Sequence, residues 1–304
     1  MSVTDRGPRL LDAHAHLLDP RRLSYGWIDR PSPVLTHLLT NYYDIARDFG
    51  PAEYREAVAG SGVSRVVACE FGAVDALAEA RWVQECHDAT GIPDAFIAAV
   101  DLTSPHLADQ LGRYTGLPIV RAVRQPLYWS EDPLTRLGAR PGYLTDKDWL
   151  RGFEQVADTG LVWDLLLYAE QLPQATHLAG RFPEVPIVLE ATGWPLDRSP
   201  SGFQQWRDHL TALSEHRNVT LKLQGLALIF GADHGSIAPW VTSAVDIFGP
   251  SRCMFATHLP VDGLLWTCAD LISATDAALA GLDPTARDDY FGKTAERVYL
   301  SYQS

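Results

Sequence analysis

The sequence contains few cysteines and no long apolar run. Its four cysteines, Cys69, Cys86, Cys253 and Cys268, are spread over 304 residues and form no C-x-x-C pair. This spacing indicates neither a disulfide framework nor a zinc ribbon. No stretch of about 18 apolar residues occurs, and residues 1–8 lack the apolar segment of a signal peptide. We therefore predict a cytoplasmic protein that is neither exported nor embedded in a membrane.

Basic residues are outnumbered by acidic ones. The chain has 25 Lys and Arg against 38 Asp and Glu, which gives a formal net charge of −13. Binding to nucleic acid or to an anionic membrane surface depends on clustered basic residues, so this balance argues against both partners. A small-molecule substrate is the predicted partner. The composition leaves a homo-oligomer open.

Motifs for covalent nucleophiles and for nucleotides are absent as well. The sequence contains no G-x-S-x-G and no glycine-rich phosphate loop. No cysteine falls at a predicted strand end with a histidine nearby in sequence. These absences argue against an enzyme with a serine or cysteine nucleophile and against a nucleotide-binding protein.

Apolar runs of strand length alternate with segments of helical period along the whole chain. This alternation is typical of βαβ units that build a parallel sheet. The predicted strands are residues 9–13, 65–70, 95–100, 119–123, 161–167, 186–190, 219–223 and 253–256. The predicted helices are residues 51–59, 74–87, 105–114, 146–158, 169–181, 203–216, 237–248 and 263–280. The pattern predicts an α/β fold, a single (β/α)8 TIM barrel that spans residues 1–304 as one domain.

Three connections of the predicted barrel are long and rich in aromatic residues or in Pro and Gly. They cover residues 16–50, 125–145 and 192–202, after the first, fourth and sixth predicted strands. Loops of this length in a compact domain are usually lids or binding loops. Because each follows a strand, all three should lie at the carboxyl face, where barrel enzymes keep their active sites.

Two histidines stand at the end of the first predicted strand. His14 and His16 are separated by one residue, so both side chains should point to the same face, at the mouth of the barrel. Two imidazoles that converge there can share a metal ion or relay protons. A lone histidine in a strand is more often part of the core, but a pair in this position favours an active site.

At this point the sequence resembles the amidohydrolase superfamily, in particular its amidohydrolase-2 branch of lactonase-like hydrolases. The resemblance runs along essentially the whole chain and rests on short segments in a fixed order. They are residues 11–17 (LDAHAHL), 19–23 (DPRRL) with Tyr25 and Trp27, 80–82 (ARW), 100–102 (VDL), 120–125 (VRAVRQ), 167–168 (LY), 171–173 (QLP), 188–193 (VLEATG), 221–226 (LKLQGL), 260–262 (PVD) and 291–295 (FGKTA).

The resemblance implies a barrel that hydrolyses a cyclic ester. It further implies that the strand-one histidines, a strand-six histidine and a strand-eight aspartate surround a divalent metal or an activated water. Two of these positions differ here. The chain has Ala191 where the family pattern has histidine, and His258 where it has aspartate or asparagine. A methyl group can neither bind a metal nor form a hydrogen bond, so the usual mechanism cannot be carried over unchanged.

The residues present allow two kinds of catalytic centre. His14, His16 and His258 could hold one divalent metal, with Glu190 or Glu70 as a fourth ligand, because three nitrogens and an oxygen suit zinc. Alternatively, His258 acts as the general base in a metal-free site, since a free imidazole titrates near neutral pH.

Other side chains at predicted strand ends and in the long loops are candidates for substrate binding. In lactonase-like relatives the arginine that corresponds to Arg124 often meets a carboxylate or carbonyl of the substrate, which suits a bidentate guanidinium. Gln224, at the end of the seventh strand, could line the pocket. Aromatic walls favour a ring-shaped or apolar substrate, although such residues also pack loops down. The aromatic candidates are Trp27, Tyr128, Trp129, Tyr168 and Trp194.

Three hypotheses follow. The first is a hydrolase that opens a small cyclic ester or amide. The second is a metal-free acid/base enzyme that cyclises, isomerises or decarboxylates a small ring-containing metabolite. The third is a non-catalytic relative that binds a ligand. Elemental analysis separates the first two, and any turnover excludes the third.

Overall fold

The computed structural model describes residues 10–301 and contains the predicted barrel in that range. Its eight strands run parallel in the order β1 to β8. They are β1 (Leu10–His16), β2 (Val63–Cys69), β3 (Ala95–Ala99), β4 (Val120–Pro126), β5 (Val162–Leu166), β6 (Ile187–Leu189), β7 (Val219–Leu223) and β8 (Cys253–Phe255). The (β/α)8 prediction is confirmed. The predicted start of the first strand, at residue 9, lies outside the described residues.

Helices connect the strands and form the outer layer. They are α1 (Gly26–Asp29), α2 (Pro33–Leu38), α3 (Pro51–Ala57), α4 (Ala76–Thr90), α5 (Leu107–Thr115), α6 (Lys147–Ala157), α7 (Leu172–Arg181), α8 (Pro200–Ser214), α9 (Leu226–Phe230), α10 (Ala238–Phe248), α11 (Cys268–Ala278) and α12 (Pro284–Asp288). Single 3₁₀ turns are Tyr42–Ile45, Tyr143–Thr145, Ala169–Gln171, His234–Ile237, Pro250–Arg252 and Asp262–Leu264. Two π-helical turns, Asp289–Lys293 and Glu296–Leu300, follow α12.

The barrel is nearly closed by the segment that follows β8. The backbone N–H of His258 donates to the carbonyl of His14 over 2.8 Å, and the N–H of His16 donates to the carbonyl of Leu259 over 2.7 Å. Below them, Asp12 accepts from the backbone N–H of Thr257 at 2.8 Å and from the hydroxyl of Tyr54 at 2.8 Å. These bonds fix the ends of β1 and β8 side by side at the carboxyl face.

Small and branched side chains fill the inside of the barrel, as expected for its layered core. Buried members of this layer are Leu11, Ala13, Val67, Ala95, Ile97, Ala122, Val162, Val188, Met254 and Ala256. Tyr299, from the second π-helical turn, packs with the same residues. This dry interior holds the polar side chains of the strands in fixed positions, because buried polar groups keep their hydrogen-bond partners.

The long connection after β1 folds back over the barrel mouth. It contains α1, α2 and a 3₁₀ turn, none of which its sequence period indicated. Leu18 pairs with Phe49, and Tyr25 pairs with Ala73, in isolated antiparallel bridges. The indole Nε1 of Trp27 donates to the carbonyl of Phe71 over 2.7 Å, which ties α1 to the end of β2. The connection after β1 is therefore a folded segment that covers the barrel mouth.

Two further observations concern membrane-spanning helices and disulfide bonds. No helix within residues 10–301 is long and apolar enough to cross a membrane. All four cysteines are free, and Cys69, Cys253 and Cys268 are buried.

Candidate active site

The two histidines of β1 meet at the bottom of the barrel mouth. The Nε2 atoms of His14 and His16 are 3.3 Å apart, and both side chains are buried. His16 Nδ1 lies 3.1 Å from the carbonyl oxygens of Cys69 and Glu70. Because a carbonyl only accepts, His16 carries its proton on Nδ1 and leaves the Nε2 lone pair free.

His14 adopts a complementary arrangement. Its Nδ1 is 3.6 Å from Oε1 of Glu190, beyond hydrogen-bond distance, and neither atom has a hydrogen-bond partner among the described residues. Burial, and then the positive charge of Lys222, hold the pKa of His14 well below its usual value, and burial does the same for the pKa of His16. Both rings are neutral. With its proton on Nε2, His14 donates to Nε2 of His16 across the 3.3 Å contact. With its proton on Nδ1, facing the Glu190 carboxylate, the Nε2 lone pairs of the two rings point to one position, where a metal ion can bind both.

Such a donor pair fits a divalent metal. Two imidazoles on one tetrahedral zinc, at bond lengths of roughly 2.0–2.1 Å, place their nitrogens about 3.3–3.4 Å apart, which matches the separation of the Nε2 atoms. The oxygen acceptors at each Nδ1 are also the usual outer partners of zinc-bound histidines. Donor atoms of His14, His16 and Cys69 all lie within 4.8 Å of one another. This trio differs from the expected set, which had His258 in place of Cys69.

His258 stands beside the pair and is held by a carboxylate. Its ring centroid is 5.4 Å from that of His14 and 5.3 Å from that of His16. Its Nδ1 lies 3.1 Å from Oδ1 of the buried Asp262. Because Asp262 also accepts from the backbone N–H groups of Ala227 at 3.0 Å and Leu228 at 3.3 Å, its carboxylate is fixed. His258 therefore donates from Nδ1, and the lone pair of this neutral tautomer lies on Nε2.

Arg124 lies between two carboxylates. Its Nε donates to Glu70 Oε1 and its Nη1 donates to Glu190 Oε2, each over 2.7 Å. Glu190 Oε2 also accepts from Nε2 of Gln224 at 3.0 Å. Burial raises the pKa of Glu190, but Arg124 and Lys222 outweigh it, and the pKa is lowered overall. Glu190 is thus an ionised group that joins Arg124, Gln224 and His14.

A column of polar side chains continues from Glu190 toward the floor of the barrel. Lys222 Nζ lies 3.6 Å from Glu190 Oε1 and forms an ion pair with Asp164. The hydroxyl of Tyr299 is 2.9 Å and 2.8 Å from the two carboxylate oxygens of Asp164. Burial raises the pKa of Asp164 to about 7, against the opposing effect of Lys222. Through Glu190, this column of side chains reaches the Nδ1 side of the His14 ring.

A cavity of about 270 Å³ opens above these groups. Five predicted site residues at or just after strand ends line it, namely His16, Arg124, Glu190, Gln224 and His258, together with Glu70. Its walls are mainly apolar and aromatic. They include Trp27, Leu35, Leu38, Tyr42, Phe71, Tyr128, Leu137, Leu166, Ala191, Trp194, Leu228, Ile229 and Val261. His14 lies beneath the floor, in contact with His16 and His258.

Two of the aromatic residues predicted for the pocket do not line this cavity. Trp129 turns outward, where its indole faces the guanidinium of Arg136 at 4.4 Å. Tyr168 is fully buried behind Tyr128, with ring centroids 4.6 Å apart, and its hydroxyl donates to the carbonyl of Thr135. The structure places both outside the cavity wall, because the order of residues in a loop does not indicate which of them face inward. Tyr128, from the same set of aromatic candidates, lines the wall.

The backbone is strained at the two positions where the chain departs from the family pattern. Ala191, Thr192 and His258 have φ angles of 53°, 55° and 56°. This left-handed conformation is uncommon outside glycine and costs on the order of 1–3 kcal/mol per residue. Thr192 is tied down by its neighbours, because its carbonyl accepts from the indole of Trp206 over 2.8 Å. The strain places the methyl of Ala191 and the ring of His258 against the cavity.

Sequence reasoning missed three residues of this site. Asp262 belongs to a matched segment, and its spacing of four from His258 is a signal that could have been used. Asp164 stands alone in an apolar strand, which is also a signal, because a buried acid needs a partner. Tyr299 gave no signal, since its contact with Asp164 spans 135 residues.

The fold and the site together define a class of protein. A (β/α)8 barrel with two histidines at the end of β1 and acidic, basic and amide side chains at the other strand ends has the layout of barrel enzymes with a carboxyl-face site. A model of the Amidohydrolase family matches residues 11–300. The chain therefore belongs to the Amidohydrolase family.

Individual relatives cover nearly the full chain. A protein of Sinorhizobium fredii described as uncharacterised is 29% identical, with 95% of this chain and 98% of the relative covered. The L-fucono-1,5-lactonase of Burkholderia multivorans is 26% identical over 96% of each chain. A crystal structure of a Burkholderia multivorans amidohydrolase with bound zinc superposes with a TM-score of 0.78 at 22% identity, covering 95% of this chain and 98% of that one. At that identity the likeness concerns the fold alone.

Proposed function

We propose that this protein hydrolyses a small cyclic ester, with His258 as the general base. The observation that carries the proposal is the buried pair of His258 and Asp262, which leaves His258 Nε2 as a proton acceptor in the cavity. The similarity to an L-fucono-1,5-lactonase supports the choice of a lactone as substrate. The pair of His258 and Asp262 thereby replaces the strand-eight aspartate of the family pattern.

His258 carries out both proton transfers of the reaction. The ring of the lactone occupies the cavity, and a water molecule lies against His258 Nε2. His258 removes a proton from this water while its oxygen bonds to the ester carbonyl carbon. When the ring C–O bond breaks, the protonated His258 returns the proton to the departing alkoxide. The product is the open hydroxy acid, and His258 is neutral again. Asp262 stabilises the charged imidazole between the two steps.

His14 and His16 are the residues that would hold a metal ion, as the convergence of their Nε2 lone pairs indicates. A bound zinc ion lowers the pKa of water and polarises a carbonyl. Glu190 would orient His14 through its Nδ1 proton, since the two atoms are 3.6 Å apart. The zinc in the crystal structure of the Burkholderia multivorans amidohydrolase makes zinc the first ion to test.

Removal of the base tests the proposal directly. We expect His258→Gly to lower kcat on a responsive lactone by a factor of about 10²–10⁴, and added imidazole to restore part of it. Glycine also suits the φ of 56° at this position. His177, an exposed residue of α7, provides the matched control as His177→Ala. An inactive protein on a full lactone panel, or a His258→Gly variant with unchanged kcat, would contradict the proposal.

A metal-free acid/base reaction on a ring-containing metabolite is the second candidate. It is favoured by the same pair, because His258 and Asp262 can move a proton without help from a metal ion. Elemental analysis of the untreated protein separates the metal-dependent version of the enzyme from the metal-free version. Stoichiometric zinc together with loss of activity in a chelator supports the metal-dependent version. Full activity after dialysis against a chelator supports the metal-free one.

A further inference from the structure

The two imidazoles of β1 need a further donor if they are to hold a zinc ion, because catalytic zinc sites have three protein ligands. The strand-six position holds Ala191, whose methyl group cannot bind a metal. The carboxylates of Glu70 and Glu190 are each paired with Arg124 at 2.7 Å. Since this guanidinium already engages both of them, they are poor candidates for the third ligand.

Cys69 is placed beside the two imidazoles by the register of the sheet. Its Cα lies opposite that of His16 in the pairing of β1 with β2. Nδ1 of His16 lies 3.1 Å from the carbonyl oxygen of Cys69, and this contact holds the imidazole against the end of β2. The Cys69 side chain belongs to the same buried cluster as Ala13 and Ile97 of the inner layer. The register therefore brings the sulfur inside the barrel at the height of the histidines.

The thiol of Cys69 makes no other polar contact. It is buried, and its Sγ has no hydrogen-bond partner within residues 10–301. By contrast, the buried thiol of Cys253 donates to the carbonyl of Ala244 over 3.8 Å. A buried cysteine can serve simply as a small apolar side chain. Two imidazole nitrogens beside an unpartnered sulfur form, in addition, a set of donors that zinc prefers.

The distances among these donor atoms suit a shared ion. Donor atoms of His14, His16 and Cys69 all lie within 4.8 Å of one another. Zinc at roughly 2.3 Å from sulfur and 2.0–2.1 Å from nitrogen places the two atoms about 3.5 Å apart in a tetrahedron. Sγ therefore has to approach by at most about 1.3 Å, which is less than the distance between two χ1 rotamers. Within residues 10–301, no other His, Cys, Asp or Glu, His258 included, completes such a group with the pair.

This set of donors leaves room for a substrate and for a base. His16 and His258 line the cavity, whereas His14 and Cys69 do not. An ion held by His14, His16 and Cys69 therefore has the cavity on one side, and three protein ligands with one open position are the arrangement of catalytic zinc sites. His258 is then not needed as a ligand and stays available for proton transfer.

We propose that Cys69 is the third protein ligand of a zinc site formed with His14 and His16. The juxtaposition of an unpartnered sulfur with two imidazole nitrogens assigns this role. When the ion binds, the thiol releases its proton to bulk water and binds as a thiolate. A thiolate ligand favours zinc over magnesium, calcium or manganese. The inference goes beyond the proposed hydrolysis, because it concerns the ligands of the ion and does not depend on the substrate.

Cobalt(II) tests the ligand directly, because a thiolate bound to cobalt absorbs strongly in the near ultraviolet. We expect protein dialysed against a chelator to gain this sulfur-to-cobalt band with one equivalent of cobalt, and Cys69→Ala to lack it. Cys253→Ala removes another buried, free thiol and is the matched control, which should keep the band. A cobalt-bound protein without the band, a band that survives in Cys69→Ala, or no bound cobalt overturns the inference.

X-ray absorption of the wild-type zinc protein needs no variant and so does not depend on how Cys69→Ala folds. It should show one sulfur neighbour at about 2.3 Å from zinc, beside lighter nitrogen and oxygen neighbours. A shell of nitrogen and oxygen alone contradicts the assignment.

Zinc affinity separates Cys69 from His258 as the third ligand. In competition with a chelator, Cys69→Ala should raise the Kd for zinc by at least about 100-fold, and His258→Gly by less than about tenfold. The opposite order would make His258 the third ligand and overturn the inference.

The metal site and the proposed reaction fail separately. If the cobalt band appears and no lactone is opened, the ligand assignment stands and the reaction is wrong. If lactones are opened while cobalt binds without the band, or does not bind, the reaction stands and Cys69 is a residue of the core.

Discussion

Asp262→Asn isolates the contribution of the carboxylate that positions His258. In the structure, Asp262 Oδ2 faces the N–H of Ala227 at 3.0 Å, whereas Oδ1 faces both His258 Nδ1 at 3.1 Å and the N–H of Leu228 at 3.3 Å. An asparagine has one oxygen and one NH₂ group to place at these two positions. A backbone N–H cannot become an acceptor, but a histidine ring can shift its proton.

The NH₂ group of the substituted side chain should therefore take the Oδ1 position and donate to His258 Nδ1. His258 is then forced to carry its proton on Nε2, and it can no longer accept a proton from water. The effect of a wrong tautomer on general-base catalysis is a factor of about 10²–10⁴ in kcat. The cost in stability is smaller, at about 1–2 kcal/mol, because the variant loses one good acceptor contact to Leu228 and keeps the others.

Steady-state kinetics on a responsive lactone, together with thermal unfolding, provide the measurement. We expect kcat to fall by at least a hundredfold, with KM changed by less than about threefold, because Asp262 does not line the cavity. Asp270→Asn is the matched control, since Asp270 accepts from Thr267 in the capping box of α11 and does not line the cavity either. A folded Asp262→Asn protein that retains the wild-type kcat would refute the assignment of His258 as an oriented base.

Further predictions concern stability. Burial raises the pKa of Glu79 from 4.5 to about 8, so the contribution of Glu79 to stability is complete below pH 4.5 and is lost as the pH rises toward 8. Glu79→Gln should remove this loss and raise the free energy of unfolding by up to about 3 kcal/mol at pH 7–8, measured by urea unfolding at several pH values; a parallel decline in both proteins would contradict it. Lys222→Met leaves the buried Asp164 without its cation and should cost about 3–5 kcal/mol; a loss below about 1 kcal/mol would mean that the pair contributes little. Gly152→Ala places a Cβ 2.0 Å from the carbonyl oxygen of Leu102 and should cost about 2–4 kcal/mol, with an unchanged melting temperature as the contrary result.

The barrel could be predicted from the sequence because parallel strands are buried on both faces and appear as short apolar runs. The first strand shows the limit of this rule. Its apolar run predicts an end near residue 13, yet β1 continues to His16. The polar residues Asp12, His14 and His16 look like the start of a loop, but all three are buried. Asp12 and His16 form hydrogen bonds with Tyr54 and Cys69, which are far away in sequence. Only the closed barrel supplies those partners.

The site was predictable to the extent that strand ends converge, and no further. His14, His16, Arg124 and Glu190 follow from their positions at the carboxyl ends of strands. Pairing among them does not, because it depends on side-chain directions across the barrel. The family resemblance predicts a substrate group as the partner of Arg124, whereas in the structure the guanidinium lies between two carboxylates. That pairing leaves the guanidinium engaged by two protein carboxylates, whereas the resemblance implied a carboxylate or a carbonyl of the substrate as its partner.

The strained backbone at the mouth bears on whether this divergent site still functions. Ala191, Thr192 and His258 have φ angles of 53°, 55° and 56°, and a site that had merely decayed would have no reason to keep several kcal/mol of strain at two separate strand ends. At β8 the strain is coupled to a specific contact, because the turn that it creates brings His258 Nδ1 onto Asp262. At β6 it sets Ala191 beside Trp194 in the wall of the cavity. Under the proposed function the two replaced positions act in different ways: His258 supplies the base, and Ala191 adds an apolar methyl group to the cavity wall where a histidine would have been polar and bulky.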